Sequence, residues 1–270
     1  MAIVKTNLNF HQTFSPDASA ISTLLSVAEE ETAYTKEEIS DITGIPTGKS
    51  SGKVEPFIKY AQFMGLLEDE YHDKKHLLKL TSLGKEVKYQ DEVLQEKATI
   101  YLCHSNMVLS SGASLWNFVF SNIFPRYGNK LKMTTFMDAL KVQYKGTDVN
   151  MSPFYTSYSG MFRKLAVLKT TPEEVKCTFL PFKDAYINIY AYILLKEWES
   201  LHDGILELTA DDFYAMNVDA KLCLSRSDFD KVLSTLESHG IIKFERLLTP
   251  FIVLKLHSSD VIIKHIYSTL

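Results

Sequence analysis

The sequence predicts a mainly helical α+β protein, built of tandem winged helix-turn-helix units joined by a helical middle region. Three observations carry this. Apolar residues at helical spacing come in short groups, each with its own start and stop residues. The segments Ala61-Gln62-Phe63-Met64-Gly65-Leu66-Leu67 and Leu236-Glu237-Ser238-His239-Gly240-Ile241-Ile242 share one order: helix end, glycine, strand start. A polar stretch and a second apolar run follow each of them, which is the pattern of a hairpin wing. Over 270 residues this gives an N-terminal winged helix with a leader (1-90), a helical middle domain with a degenerate third copy (91-203) and a C-terminal winged helix (204-270).

In chain order, Leu8 to Phe14 reads as a short extended piece. Asp17 or Ser19 then caps a helix whose Ile21, Leu24, Leu25 and Ala28 share a face. Thr35 starts a second helix, with Glu38 at the capping-box position, Ile39 and Ile42 inward, and Gly44 as the stop. A third carries Val54, Phe57, Ile58, Ala61 and Met64 on one face and ends at Gly65. Leu66 to Glu68 and His76 to Leu80 read as strands around a polar loop, Asp69 to Lys75. Leu80-Thr81-Ser82-Leu83-Gly84 resembles the exit common in winged-helix regulators, in which Thr caps the next helix and Gly relieves the turn.

The last unit repeats this order. Thr209 caps a helix through Ala210, Phe213 and Tyr214, and Ser225 or Ser227 caps one with Phe229, Val232, Leu233 and Leu236. After Gly240 a hairpin returns as Phe251 to Leu256. The looser middle copy has Met133-Thr134-Thr135 before Phe136 and Leu140, then Ser152-Pro153 as N-cap and N1. Tyr155, Tyr158, Phe162 and Leu165 share a face, and Val167-Leu168 with Val175 to Leu180 make its wing. Glu92 to His104, Ser114 to Ile123 and Phe182 to His202 read as connecting core helices. Tyr186, Tyr190 and Tyr192 are expected to pack there rather than stack bases.

Hydrophobic residues make up 46% and charged residues 23%, ordinary globular usage, so disorder is not the default reading. The net charge of -4 counts against nucleic acid, but phosphates sense local fields. Six acids and one lysine lie between Glu29 and Asp41, five lysines between Lys74 and Lys88, and five basic residues against one acid from Arg126 to Lys145. Cys103, Cys177 and Cys223 show no CxxC spacing, which argues against a disulfide framework or a zinc site. The longest apolar stretch, Ile187 to Leu195, is too short for a membrane span. A reduced, cytoplasmic protein is expected.

Gly44-Ile45-Pro46-Thr47-Gly48-Lys49-Ser50 imitates a phosphate loop, yet three residues rather than four separate its glycines, and it follows a helix instead of a strand. It suits another task. As the turn before the expected recognition helix, it would offer amides and a positive dipole end to phosphate. Lys49, Ser50, Ser51 and Lys53 would add contacts there, Lys59 and Gln62 lie on the helix face away from the core, and Lys74, Lys75 and Lys79 on the wing would track the DNA backbone. The alternative is a solvated loop and a charged hairpin tip that keeps an edge soluble. In the last unit Asp228, Asp230 and Glu237 neutralise Arg226 and Lys231, which suits a protein-contact or dimer module. His72 and His76 lack a third ligand, and no nucleophile, nuclease or metalloprotease constellation stands out. The expectation is a non-enzymatic protein without metal or cofactor.

Asn9-Phe10-His11-Gln12-Thr13-Phe14, followed by the first winged helix, resembles the bacterial domain of unknown function 4007 family, in which a His-x-Thr-Phe segment precedes a helix-turn-helix region. Ser15-Pro16-Asp17 departs from that family's more basic helix entry. The resemblance implies a setting among DNA-modification or phage-defence proteins. His11 and Thr13 are candidates to donate to a phosphate or a partner group, or else to satisfy neighbouring backbone while Phe10 and Phe14 anchor the leader. Double-stranded DNA is the expected partner, for a transcriptional regulator or the targeting subunit of a modification or defence system. A protein scaffold without DNA contact is the alternative, and a homodimer is left open.

Overall fold

A computed structural model describes residues 8–48, 52–247 and 249–270. Side-chain caps open five of the helices among the described residues. In the first unit Asp17 accepts from the Ala20 amide to open α1 (Ala18–Glu29). After the short strand β1 (Ala33–Thr35), Thr35 and Glu38 form both halves of a capping box on α2 (Lys36–Thr43), which Gly44 ends in the left-handed region. Helix α3 (Val54–Phe63) leads through Gly65, also left-handed, into the hairpin β2 (Leu67–His72) and β3 (Lys75–Leu80). Thr81 then accepts from the Gly84 amide and opens α4 (Ser82–Gln90). Gly84 is required for a reason the sequence does not show: a Cβ there would overlap the Leu66 carbonyl.

The same order returns twice. Helices α5 (Lys97–Val108), α6 (Ser114–Phe118) and α7 (Phe124–Tyr127) come first, with a π-helical turn, Val119–Ile123, between the last two. The second unit is β4 (Lys130–Lys132), α8 (Met133–Gln143), α9 (Ser152–Ser159), β5 (Leu168–Thr170) and β6 (Glu174–Cys177). After α10 (Ile187–Leu201) the third unit runs β7 (Glu207–Thr209), α11 (Ala210–Ala215), α12 (Val218–Lys221), α13 (Arg226–Ser238), β8 (Ile242–Glu245) and β9 (Ile252–Lys255), with α14 (Ser259–Ile263) at its end. All three sheets are antiparallel and place the leading strand beside the last: β1-β3-β2, β4-β6-β5 and β7-β9-β8.

One apolar core runs through all three units. Every residue of α5 from Ala98 to Val108 is buried, the condition of a helix enclosed on all sides. Helix α10 packs on α5, α12, α13 and α14, and Tyr101 donates to the Leu222 carbonyl at 2.7 Å. Tyr190 and Tyr192 are buried, as packing residues should be. Among the described residues no helix is long and apolar enough to cross a membrane.

Several local expectations need correction. The leader is a run of turns rather than an extended piece, because its polar groups bond across the molecule: Asn9 donates to the Asp148 carbonyl and accepts from the Asn150 amide, and Asn150 donates to the Gln12 carbonyl. Ile42 is 50% exposed instead of facing inward. The first hairpin is longer and tighter than expected: Asp73 and Lys74 both take positive φ, the geometry of a two-residue hairpin turn, so Asp69 to His72 and Lys75 pair instead of looping. Pro153 stands at the second helical position behind Met151 rather than at the first behind Ser152, and the face of Tyr155 to Leu165 is broken by Gly160 into α9 and a 3-10 turn.

Candidate nucleic-acid interface

The first unit separates its lysines. Lys49, Ser50 and Ser51 lie outside the described residues. Lys53 is half-buried with its ammonium 5.6 Å from the Phe14 ring centre, and its amide bonds the Pro46 carbonyl. Helix α3 packs on α1, α2, β2 and α5, so Glu55 and Lys59 are its exposed residues. It therefore lacks the broad outward face of a groove-reading helix. Lys59 donates to Gln62 at 2.8 Å, and Gln62 is half-buried beside Asn106, Tyr192 and Lys196. On the hairpin, Lys74 is exposed at the turn, Lys75 lies near the Glu38 carboxylate, and Lys79 pairs with Glu70 at 2.7 Å. His76 turns inward against Asp69 at 3.0 Å while His72 stays exposed, so the two do not converge. Among the described residues no cluster of three or more metal-ligating side chains forms.

His11 is buried beside Trp116, with ring centres 6.0 Å apart. Its Nδ1 meets the Gln12 carbonyl at 3.1 Å, its Nε2 is without a partner among the described residues, and burial lowers its pKa. A neutral ring packed against indole supports the account in which the leader is anchored. Thr13 is exposed and lines a 730 Å³ cleft with Lys53 and the start of α1.

The second unit holds what the sequence left unplaced. In its sheet, Lys130 stands directly opposite Lys176, and Lys176 directly opposite Lys169. All three are exposed, together with Lys132, while Leu131 and Val175 point into the core on the other face. Three lysine positions thus line up across three strands spaced about 4.8 Å apart. Like charges in directly opposed positions destabilise a sheet, so the row is unfavourable until an anion covers it. Glu174 offsets one lysine, bonding Lys130 at 3.0 Å; among the described residues Lys132, Lys169 and Lys176 form no ion pair. The sequence signal was the alternation Lys130-Leu131-Lys132 and Glu174-Val175-Lys176-Cys177, within and beyond the basic stretch from Arg126 to Lys145.

The third unit is the opposite case. Arg226 pairs with Asp230, Lys231 with Asp228, Arg246 with Glu237 and Lys243 with Glu245, at 3.4, 2.8, 2.8 and 3.1 Å. These four cations are paired within the unit, while Lys255 pairs with Glu199 of α10 at 3.1 Å.

No family model and no curated protein matches the chain. Two solved structures share its fold. One described as "SspB crystal structure" superposes with a TM-score of 0.71 at 13% identity, covering 97% of this chain and 86% of the other. A second, "Magnesium ion-bound SspB crystal structure", has the same coverage and identity with a TM-score of 0.68. At that identity the likeness establishes architecture and nothing finer: across nearly its whole length, the chain is similar in fold to those SspB structures.

Proposed function

We propose that the protein binds double-stranded DNA through phosphate contacts to the outward face of the second sheet, as a non-enzymatic regulator or as the targeting subunit of a modification or defence system. The observation that carries this is the register Lys130–Lys176–Lys169, a row of like charges of which Glu174 offsets Lys130 alone. The repeated strand, helices (two in the first and second units, three in the third) and hairpin, with sheet order first-third-second, support reading each unit as a winged helix. In that arrangement the wing and its sheet commonly approach the backbone, even where the second helix is covered.

The test replaces Lys130, Lys132, Lys169 and Lys176 together by alanine and titrates a short labelled duplex by fluorescence anisotropy. At low salt the wild type should bind, and the quadruple variant should lose at least about 100-fold in affinity, since each phosphate contact contributes nearly one unit of salt slope. A companion variant with Lys53, Lys59, Lys74 and Lys75 replaced by alanine should keep most of the binding. If the companion loses binding and the sheet variant keeps it, the interface lies on the first unit and the sheet assignment is wrong.

A scaffold reading draws on the third unit, where Arg226, Lys231, Lys243 and Arg246 pair internally and Leu247 is 92% exposed on the hairpin tip. A partner captured equally with and without nuclease, by both wild type and sheet variant, would favour it.

A further inference from the structure

Cys177 and Cys223 meet behind the lysine row. Cys177 ends β6 and points to its buried face, opposite to Lys176, and its amide donates to the Asn129 carbonyl at 2.8 Å. Cys223 follows α12 with φ +52, a left-handed conformation that disfavours a side chain. The two segments are pinned together: Leu180 and Leu224 form a parallel bridge, and the Leu180 amide donates to the Cys223 carbonyl at 2.7 Å. Both thiols line one cavity of 280 Å³, walled by Phe120, Phe124 and Leu224, with half-exposed Phe179 also on its lining. Phe120 belongs to the π-helical turn, which itself packs on α12. π-Bulges concentrate at functional sites, and here one adjoins a positive-φ cysteine.

The neighbouring Cys177 thiol and burial together hold the Cys223 thiol well above the ordinary range. Cys103, by contrast, is enclosed within α5 and takes no part in this cavity. Two cysteines on one cavity, carried by segments bonded backbone to backbone, are placed for the close approach of Cβ atoms that a disulfide demands.

We propose that Cys177 and Cys223 form a reversible disulfide by exchange with a small disulfide such as oxidised glutathione, linking the second unit's sheet to the third unit. In the first step the Cys177 thiolate attacks one sulfur of the small disulfide and expels one thiol. In the second, Cys223 loses its proton, attacks the Cys177 sulfur of the mixed disulfide and releases the second thiol. The two cysteines give up two protons and two electrons, and the small disulfide is reduced to two thiols. The disulfide forms whether or not the sheet binds DNA.

The experiment incubates the full chain with oxidised glutathione, unfolds and alkylates it without reductant, and maps the peptides by mass spectrometry. The expected product joins the Cys177 and Cys223 peptides with the loss of two hydrogens, leaves Cys103 alkylated, and disappears on treatment with dithiothreitol. In Cys223→Ser, glutathione should remain on Cys177, because the resolving thiol is gone. Wild-type protein with both thiols still free, with glutathione on Cys177 and no joined peptide, or with a bridge through Cys103, would overturn the proposal.

Discussion

Replacing Lys221 by methionine is expected to lower the stability of the protein by about 3–5 kcal/mol, read as a fall in the urea midpoint at an unchanged slope. Lys221 and Glu197 form an ion pair at 3.3 Å with side chains 4% and 0% exposed. Burial pulls the Lys221 pKa down and the facing Glu197 carboxylate pulls it back. Each charge has further partners: Lys221 donates to the Met216 carbonyl at 2.5 Å, and Glu197 accepts from the Ser110 hydroxyl and amide at 2.5 and 3.0 Å. The pair therefore ties α10 to α12 and to the loop after α5. Removing the lysine strands a carboxylate in the core, and that uncompensated charge is the source of the cost. A double variant, Glu197→Gln with Lys221→Met, should recover a large part of the loss. Equal losses in the single and double variants would show that packing, rather than the stranded charge, sets the effect.

Acid should destabilise the protein well before its carboxylates titrate. His104 is fully buried among Phe120, Tyr158 and Phe162, its Nε2 3.0 Å from the Tyr158 hydroxyl, and burial pulls its pKa down to about 3. In the unfolded chain the same ring takes a proton near pH 6.5. Between those values the unfolded state holds one more proton than the folded one. Stability is thus fully present above about pH 6.5 and falls by roughly 1.4 kcal/mol per pH unit below it. His11, also lowered by burial, adds to the slope in the same direction. Urea midpoints measured from neutral to mildly acidic pH should show this decline, and His104→Phe should remove His104's share while lowering stability at neutral pH through the lost Tyr158 contact. A variant with the wild-type slope would place the proton uptake elsewhere.

Local chemistry was legible in the sequence wherever a side chain acts on its own neighbourhood. Thr35, Thr81, Thr209 and Ser225 cap the helices assigned to them, and Gly44, Gly65 and Gly240 take the left-handed conformations that end the preceding helices. What stayed hidden depends on distant partners. Strands β1, β4 and β7 are three residues each and exist by pairing with strands far along the chain. Asp73 and Lys74 hid a tight turn because non-glycine residues rarely adopt two successive positive φ angles.

The candidate site followed the same division. A helix with one apolar face was readable at α3, but not that α5 and the rest of the first unit would cover most of it. Basic clusters were readable as composition. The alignment of Lys130, Lys169 and Lys176 was not, because register joins positions that no local pattern relates. The same holds for Cys177 and Cys223, whose spacing carries no motif and whose proximity comes from the bridge between Leu180 and Leu224.

The salt dependence of duplex binding probes the row most directly. Four phosphate contacts correspond to a slope of about -3 to -4 in log affinity against log salt, or a loss of roughly 100-fold between about 50 and 200 mM. That dependence in the wild type, flattened in the quadruple sheet variant, is the predicted result. Wild-type protein that shows no duplex binding at the lower salt, or binding whose slope the four alanines leave unchanged, would contradict a phosphate-tracking second sheet.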